Sequence, residues 1–356
     1  MNRALKIGIL EGDDIGLEVV PECVKVMRAA AARTGLDLDW HPVPIGRKAL
    51  DTLGSTLPEG TLDKLDTLDG WVLGPIGHQA YPKSAINPHP ILRKHYDLFA
   101  NIRPAKSYPG LPALYQDVDL VIVRENNEGF PPDRNVFMGN GEFRPTPDTT
   151  ISVRVITRQA SSKVARASFE LARTRPRKKL TSVHKDTVFK LGCGMFAEEC
   201  RKLAREYPDV AYDEVLVDTF AMKLVMKPQQ FDVIVTTNTF GDILSDAAAG
   251  LVGGLGLAPA LSAGPERAMA QATHGSAPDI AGRNIANPYA MIMSGQMLLA
   301  WLGHKHNEPK AVEAAGIMER AMERIIRAGQ VLTRDLGGQA TTRQMGDAIA
   351  AAAGST

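Results

Sequence analysis

The sequence predicts an α/β protein built on a central, largely parallel sheet flanked by helices. Short apolar runs of strand length recur through the first two thirds of the chain, and amphipathic stretches of helical length separate them. The last third is almost wholly helical, so it must pack onto a sheet made earlier in the chain.

Taken in order, "KIGIL" (6–10) is the first strand, and "GLEVVPECVKVMRAAAART" (16–34) follows as a helix. "WVLGPIG" (71–77) is a strand that leaves through a Gly/Pro turn. "DLVIVRE" (119–125), "ISVRVIT" (151–157), "KLTSVHK" (179–185) and "FDVIVTT" (231–237) are further strands. Between two of them, residues 129–150 are rich in Pro, Gly and Asn, which predicts a long loop or arm used for function or for subunit contact. From Pro288, which opens the next helix, "YAMIMSGQMLLAWLG", "EAAGIMERAMERIIRAG" and "TTRQMGDAIAAAA" are helices.

A length of 356 residues and 44% hydrophobic content provide for two domains or one large unit with an ample core. Forty-one basic residues against 40 acidic ones, with no polybasic block, give no electrostatic reason to expect nucleic acid or an anionic membrane. Small molecules are the expected partners. Cys23, Cys193 and Cys200 form neither a disulfide framework nor a CxxC pattern, and the N-terminus lacks the apolar core of a signal peptide. Together these predict a soluble, cytoplasmic protein.

Three constellations could carry chemistry. In "NTFGDILSDAAAG", Asp242 and Asp246 stand four apart, on one face of a helix that follows a strand, and Asp218 likewise follows a strand-like run. Were those strands neighbours, three carboxylates would converge where open α/β sheets place ligands, an oxygen-only donor set suited to Mg²⁺ or Mn²⁺. From spacing alone, Asp242 could equally answer the helix dipole and Asp246 face water. Arg93, Arg103 and Arg124 form a basic set whose planar forks suit carboxylates, with pairing to Asp97, Glu125 or Glu128 as the plain alternative. Lys185, at a strand end, could serve as a base or simply extend to solvent. The one glycine fingerprint, Gly192, Gly194 and Ala197 with Asp213 beyond, follows no clean strand and is set aside. "HGSAPDIAGRNIANP" (274–288) suits a nucleotide better: Gly275, Ser276 and Gly282 permit close backbone approach, and Asp279 could accept from ribose hydroxyls, which favours NAD.

"ILEGDDIG", "LRKHYDLFANIRPAK", "VIVRENNEG", "FDVIVTTNTFGDILSD" and "HGSAPDIAGRNIANP", in this order across nearly the whole chain, resemble the β-decarboxylating dehydrogenases acting on isocitrate, homoisocitrate, 3-isopropylmalate and tartrate or D-malate. "HKDTVFKLGCGMF" and the segment after "TTNTFGD" look most like the isocitrate and homoisocitrate members. The resemblance implies an isopropylmalate dehydrogenase-like two-domain fold, not a Rossmann domain. A large cofactor-binding domain would combine residues 1–100 and 252–356, and a small domain 101–251 would carry a dimer arm at about 129–150. It implies that Asp242 and Asp246, with Asp218 from the other subunit of a homodimer, hold Mg²⁺ or Mn²⁺. Arg93, Arg103 and Arg124 would clamp the carboxylates of a di- or tricarboxylate substrate. Lys185, also from across the interface, would help deprotonate its hydroxyl. The cofactor NAD would lie on His274, Gly275, Ser276, Ala277, Asp279, Ile280 and Asn287. Asn87 and His89, in the segment before Arg93, would meet the group at C3 of the substrate and suggest a polar or modest-sized one.

Four positions depart from that pattern. Pro131 stands where the family commonly has a tyrosine proton donor, Thr187 where it has asparagine, Gln271 where it has glutamate, and Asp13 where it has glycine. The expected function is NAD- and metal-dependent oxidation of a 3-substituted (2R)-malate-type acid. It would proceed with decarboxylation, or without it to release an oxoacid. Pro131 and Thr187 point instead to an alternative, a ligand-binding regulatory paralogue with impaired turnover.

Overall fold

The computed structural model describes residues 3–130 and 141–355; Pro131 lies outside them. Strand β1 (Leu5–Leu10) leads into α1 (Gly16–Thr34), whose buried Val19, Val20, Cys23, Met27 and Ala30 lie on one side at helical spacing. Pro21 is accommodated in its second turn, and Gly35 closes it with φ 64°, donating to Ala31 and Ala32 carbonyls. β2 (Leu38–Pro42), α2 (Gly46–Leu53), α3 (Thr61–Asp66), β3 (Gly70–Leu73), α4 (Pro88–His95), β4 (Ala100–Lys106) and β5 (Asp119–Glu125) follow. β6 (Glu142–Thr146) and β7 (Thr149–Ser152) form a separate, exposed hairpin.

Beyond it come α5 (Arg158–Thr174), β8 (Lys179–His184), α6 (Gly192–Ala204), β9 (Ala211–Leu216), α7 (Val217–Met226), β10 (Val233–Thr236) and α8 (Asn238–Val252). β11 (Leu261–Ala263), β12 (Ala268–Ala270), α9 (Tyr289–Lys305), α10 (Pro309–Ala328) and α11 (Thr342–Gly354) complete the chain. Glu308 caps α10, and Thr341 caps α11 in a reciprocal box with Gln344. Cys193 and Cys200 both lie buried on α6, as small core residues.

One sheet runs through the molecule in the order β2-β1-β3-β12-β11-β4-β5-β10-β8-β9. It is parallel except around β4 and β11, where β4 pairs antiparallel with both β11 and β5, and β11 with β12. The expected architecture of a largely parallel sheet with helices on it is therefore observed. One core joins α1, the edge of the sheet and the C-terminal helices through Met27, Ile292, Leu298, Met318 and Ile349. Two others draw on residues 100–252, around Phe169, Phe196 and Val235 on one face and Phe220, Phe231 and Leu244 on the other. Among the described residues, no helix is long and apolar enough to cross a membrane.

Only the first two residues of "ISVRVIT" lie in a strand, and that strand belongs to the hairpin, not to the central sheet. β7 ends at Ser152, Val155 makes only an isolated bridge to Gly129, and Arg158 already opens α5. Period-2 alternation there reflects an exposed hairpin leg, because Ile151 and Val153 remain exposed rather than facing a second layer.

Candidate active site

The register of the antiparallel centre assembles the first cluster. Asn101 pairs with Arg124 across β4 and β5 and with Ser262 across β4 and β11, while Arg103 sits two residues on and shares its face. Helix α8 lies over that face, and Gly241 permits it, since a Cβ there would meet the Arg124 side chain at 2.7 Å. Asn238, Asp242 and Ser245 thereby face the two arginines at helical spacing. Arg103 Nη1 donates to Asp242 Oδ1 at 3.1 Å and to Ser245 Oγ at 2.7 Å, and lies 3.6 Å from Asp246 Oδ1. Arg124 donates through Nη1 to Asp242 and through Nη2 to Asn238 Oδ1 at 2.8 Å. Arg103 Nε donates to Asn101 Oδ1 at 2.7 Å, and Asn101 Nδ2 donates to Ser262 Oγ at 2.9 Å.

Arg93, Arg103 and Arg124 are 7%, 8% and 7% exposed, whereas the Asp242 and Asp246 side chains are 51% and 52% exposed. Burying a guanidinium is costly unless it is paired, and here two carboxylates and three neutral acceptors hold two of them. Burial pulls the Arg103 guanidinium below its ordinary value, against the pull of both aspartates. Burial raises the Asp246 carboxyl above the usual range, with Asp242 adding to it and Arg103 and Arg124 opposing. Both arginines thus take Asp242 as partner, while Glu125 accepts from the Asn127 and Glu128 backbone and Asp97 pairs with Lys163.

A cleft of about 180 Å³ joins this cluster to the nucleotide-like loop, lined by His89, Arg93, Asn101, Arg103, Gln271 and His274 among others. Arg93 reaches it from α4, where Asn87 is the N-cap and accepts from His89 N at 3.1 Å. The His89 Nε2 lies against Gln271 Oε1 and 3.2 Å from Arg93 Nη2. In the loop, His274 Nδ1 lies 3.0 Å from Gly275 O, Ile280 N donates to Ala277 O at 3.1 Å, and Ala277 holds φ 44°. Gly275 has open space where a Cβ would stand, and the buried His274 Nε2 has no hydrogen-bond partner among the described residues. Burial lowers the His274 imidazole from 6.5, so it is neutral at pH 7. Ser276 accepts from Ile15 N through its carbonyl, and Asp279 is exposed. Asn287 donates to Asp335 Oδ2 at 2.8 Å and accepts from Tyr289 N at 2.9 Å.

Lys185 and Asp218 lie elsewhere. They form an ion pair at 2.6 Å, with side chains 22% and 63% exposed, at the ends of β8 and β9. β8 separates β9 from β10, so the two strands that precede Asp218 and Asp242 are not neighbours, and among the described residues no three His, Cys, Asp or Glu side chains form a metal-sized cluster. The expected convergence of three carboxylates does not occur within one chain. Lys185 holds the Asp218 carboxyl below its usual range.

Asp13 has a local explanation. It is 2% exposed, accepts from Arg47 N and Gly77 N at 2.7 Å each, and accepts from Tyr81 OH at 2.5 Å. Its carboxylate braces α2 and the loop after β3 rather than facing the cleft. Burial, then Asp13, raises the Tyr81 hydroxyl far above 10.0, keeping it a donor. Sequence reasoning passed over Asn101, Asn238, Ser245 and Ser262; the spacing 238, 242, 245 along one helix face was the available signal for two of them.

Residues 6–349 match the isocitrate/isopropylmalate dehydrogenase family. The chain is 40% identical over 348 residues to a 3-isopropylmalate dehydrogenase from Methanothermobacter thermautotrophicus, covering 98% of each. It is 42% identical over 350 residues to an isocitrate/homoisocitrate dehydrogenase from Thermus thermophilus, covering 97% of this chain and 98% of that one. The crystal structure of isocitrate dehydrogenase from Methylococcus capsulatus superposes with a TM-score of 0.86 at 39% identity, covering 99% of this chain and all of the other.

Proposed function

This chain belongs to the isocitrate/isopropylmalate dehydrogenase family, and from that premise we propose that it oxidises a 3-substituted (2R)-malate-type acid with NAD and a divalent metal, with decarboxylation. The observation that carries the proposal is the cluster of Arg103, Arg124, Asp242 and Asp246, which Arg103 joins to a cleft that Arg93 also lines. Buried guanidiniums beside a cleft suit an anionic ligand, and a bound Mg²⁺ or Mn²⁺ would add to the positive charge there, in keeping with a di- or tricarboxylate.

The residues fit such an ion in part. Asp242 and Asp246 offer half-exposed, oxygen-only donors suited to a hard cation, and Asp218 would complete the set from a second copy of the chain. When bound, the metal supplies Lewis-acid polarisation and the nicotinamide accepts hydride. Arg93, Arg103 and Arg124 bind and orient the carboxylates, and Lys185 of the second copy takes the hydroxyl proton. His89, held by Gln271 and set by the Asn87 cap, meets the C3 group. His274 to Ile280, with Asn287, hold the nucleotide, for which the unpartnered His274 Nε2 and the open space at Gly275 leave room. Asp279 would repel a 2′-phosphate, which favours NAD over NADP.

A homodimer is part of the proposal. Met222, Val225 and Met226 on α7 and Ile243 on α8 are exposed apolar residues beside the two half-sites, and Phe143 and Ile151 are exposed on the β6–β7 hairpin. We assign residues 1–100 and 252–356 to a large unit and 101–251 to a small one; the separate cores support this division, although Tyr108 and Leu111 pack into the first core. Purified protein with NAD and Mn²⁺ should form NADH on one of D-malate, tartrate, isocitrate, homoisocitrate or 3-isopropylmalate, with carbon dioxide measured alongside. Thermal shifts with metal and acid but no NADH on any of them would favour the regulatory paralogue.

A further inference from the structure

Arg154 belongs to none of the constellations above, yet three aromatic rings surround it. Its guanidinium carbon lies 4.9 Å from the ring centre of Phe189, 5.4 Å from Phe240 and 5.8 Å from Phe130, each within cation–π range. Nη2 donates to Thr237 Oγ1 at 3.0 Å, and Nη1 donates to Cys193 Sγ at 3.4 Å. The antiparallel bridge between Gly129 and Val155 sets Phe130 directly opposite Arg154.

Each ring sits on a segment that carries a candidate site residue. Phe130 ends the stretch that begins at Arg124, Phe240 precedes Asp242 by two residues in the first turn of α8, and Phe189 closes the turn after Lys185, donating from its N–H to Lys185 O at 2.8 Å. The helix macrodipole disfavours a cation at the N-terminus of α8, and Thr237, the N-cap, makes no capping bond there and accepts from Arg154. The arrangement therefore does not serve that helix end, and the rings and the two hydrogen bonds must hold the guanidinium against the dipole.

We infer that Arg154 is a positioning residue: enclosed by Phe130, Phe189 and Phe240, it locks the Lys185 turn to the first turn of α8. The two half-sites of one chain, Lys185 with Asp218 and Asp242 with Asp246, keep a fixed spacing as a result. The roles of Lys185 and the α8 carboxylates rest on the function proposed above; the lock itself rests on the contacts.

The test uses full-length wild type, Arg154→Met, Arg154→Lys and Phe189→Leu. Hydrogen exchange should quicken about tenfold across residues 185–196 and 237–246 in Arg154→Met, the scale of the lost cation–π contacts. With Mn²⁺ and the acid that wild type turns over, kcat should fall about 10- to 100-fold while KM and the Mn²⁺ midpoint stay within about twofold. Arg154→Lys should recover part of the rate, because an ammonium keeps the rings but not the two-armed link to Thr237 and Cys193. Phe189→Leu, at a partly exposed ring, should give a smaller change of the same kind and carries the comparison if Arg154→Met does not fold. Unchanged exchange in either segment overturns the lock. Faster exchange with unchanged kcat, or a raised KM with kcat held, overturns the positioning role. An inactive wild type counts against the dehydrogenase reading alone, since exchange still decides the lock.

Discussion

Two cation–carboxylate clusters in this chain use the same chemistry in opposite settings. Arg103 and Arg124 are almost fully buried and bind Asp242 with the help of Asn238, Asn101 and Ser245, whereas Lys185 and Asp218 pair with each other on an exposed edge. The first is set by strand register and helix packing within one subunit. An exposed ion pair alone contributes little to stability, so the Lys185–Asp218 pair adds little to the fold. The difference teaches that one chain carries two unlike clusters, which the proposed homodimer would bring together.

The largest effect expected breaks that comparison directly. Asp246→Asn and Lys185→Met should each lose about a thousandfold in kcat without unfolding, the scale of several kcal/mol of transition-state stabilisation. Mixed by refolding in equal amounts, the two should regain roughly a quarter of the wild-type rate, because half the dimers are mixed and each carries one intact site. A mixture that stays inactive while both proteins fold would place the whole site within one subunit. Asn101→Ala then sharpens the buried side. It removes an acceptor from Arg103 Nε and a donor to Ser262, a loss of about 1.5–3 kcal/mol for a charged group, so kcat/KM should fall about 10- to 100-fold. Wild-type kinetics would show that Asp242 and Ser245 alone fix that guanidinium.

The smallest effect concerns Asp13, a further carboxylate near the ends of the sheet strands, satisfied wholly within the chain. Tyr81→Phe should cost about 1.5–3 kcal/mol in urea unfolding and leave the metal response untouched. A large change in Mn²⁺ affinity instead would tie the brace to the metal side of the cleft.

Much of this was legible in the chain. Alternating strand and helix patterns gave the α/β class because apolar periodicity follows local geometry. Spacing put Asp242 and Asp246 on one helix face, as the structure has them, because side-chain position along a helix is a sequence property, but it left open whether the arginines would pair with them or with Asp97, Glu125 or Glu128. "ISVRVIT" misled for the same reason: alternation records which sides differ, not whether a second layer covers either of them. Asp13 stood only as a departure from the family's glycine, since no sequence pattern states that Gly77, Arg47 and Tyr81, up to 68 residues away, will turn donors toward it.

What the sequence determined by itself was therefore the inventory: the elements, the charged groups, and which of them share a face. Only the tertiary structure decided the partnerships. It set Asn101 opposite Arg124, put β8 between the strands leading to Asp218 and Asp242, and closed three rings on Arg154. Strand order and register join residues far apart in the chain, and local propensity carries no information about which distant strand a given one will pair with.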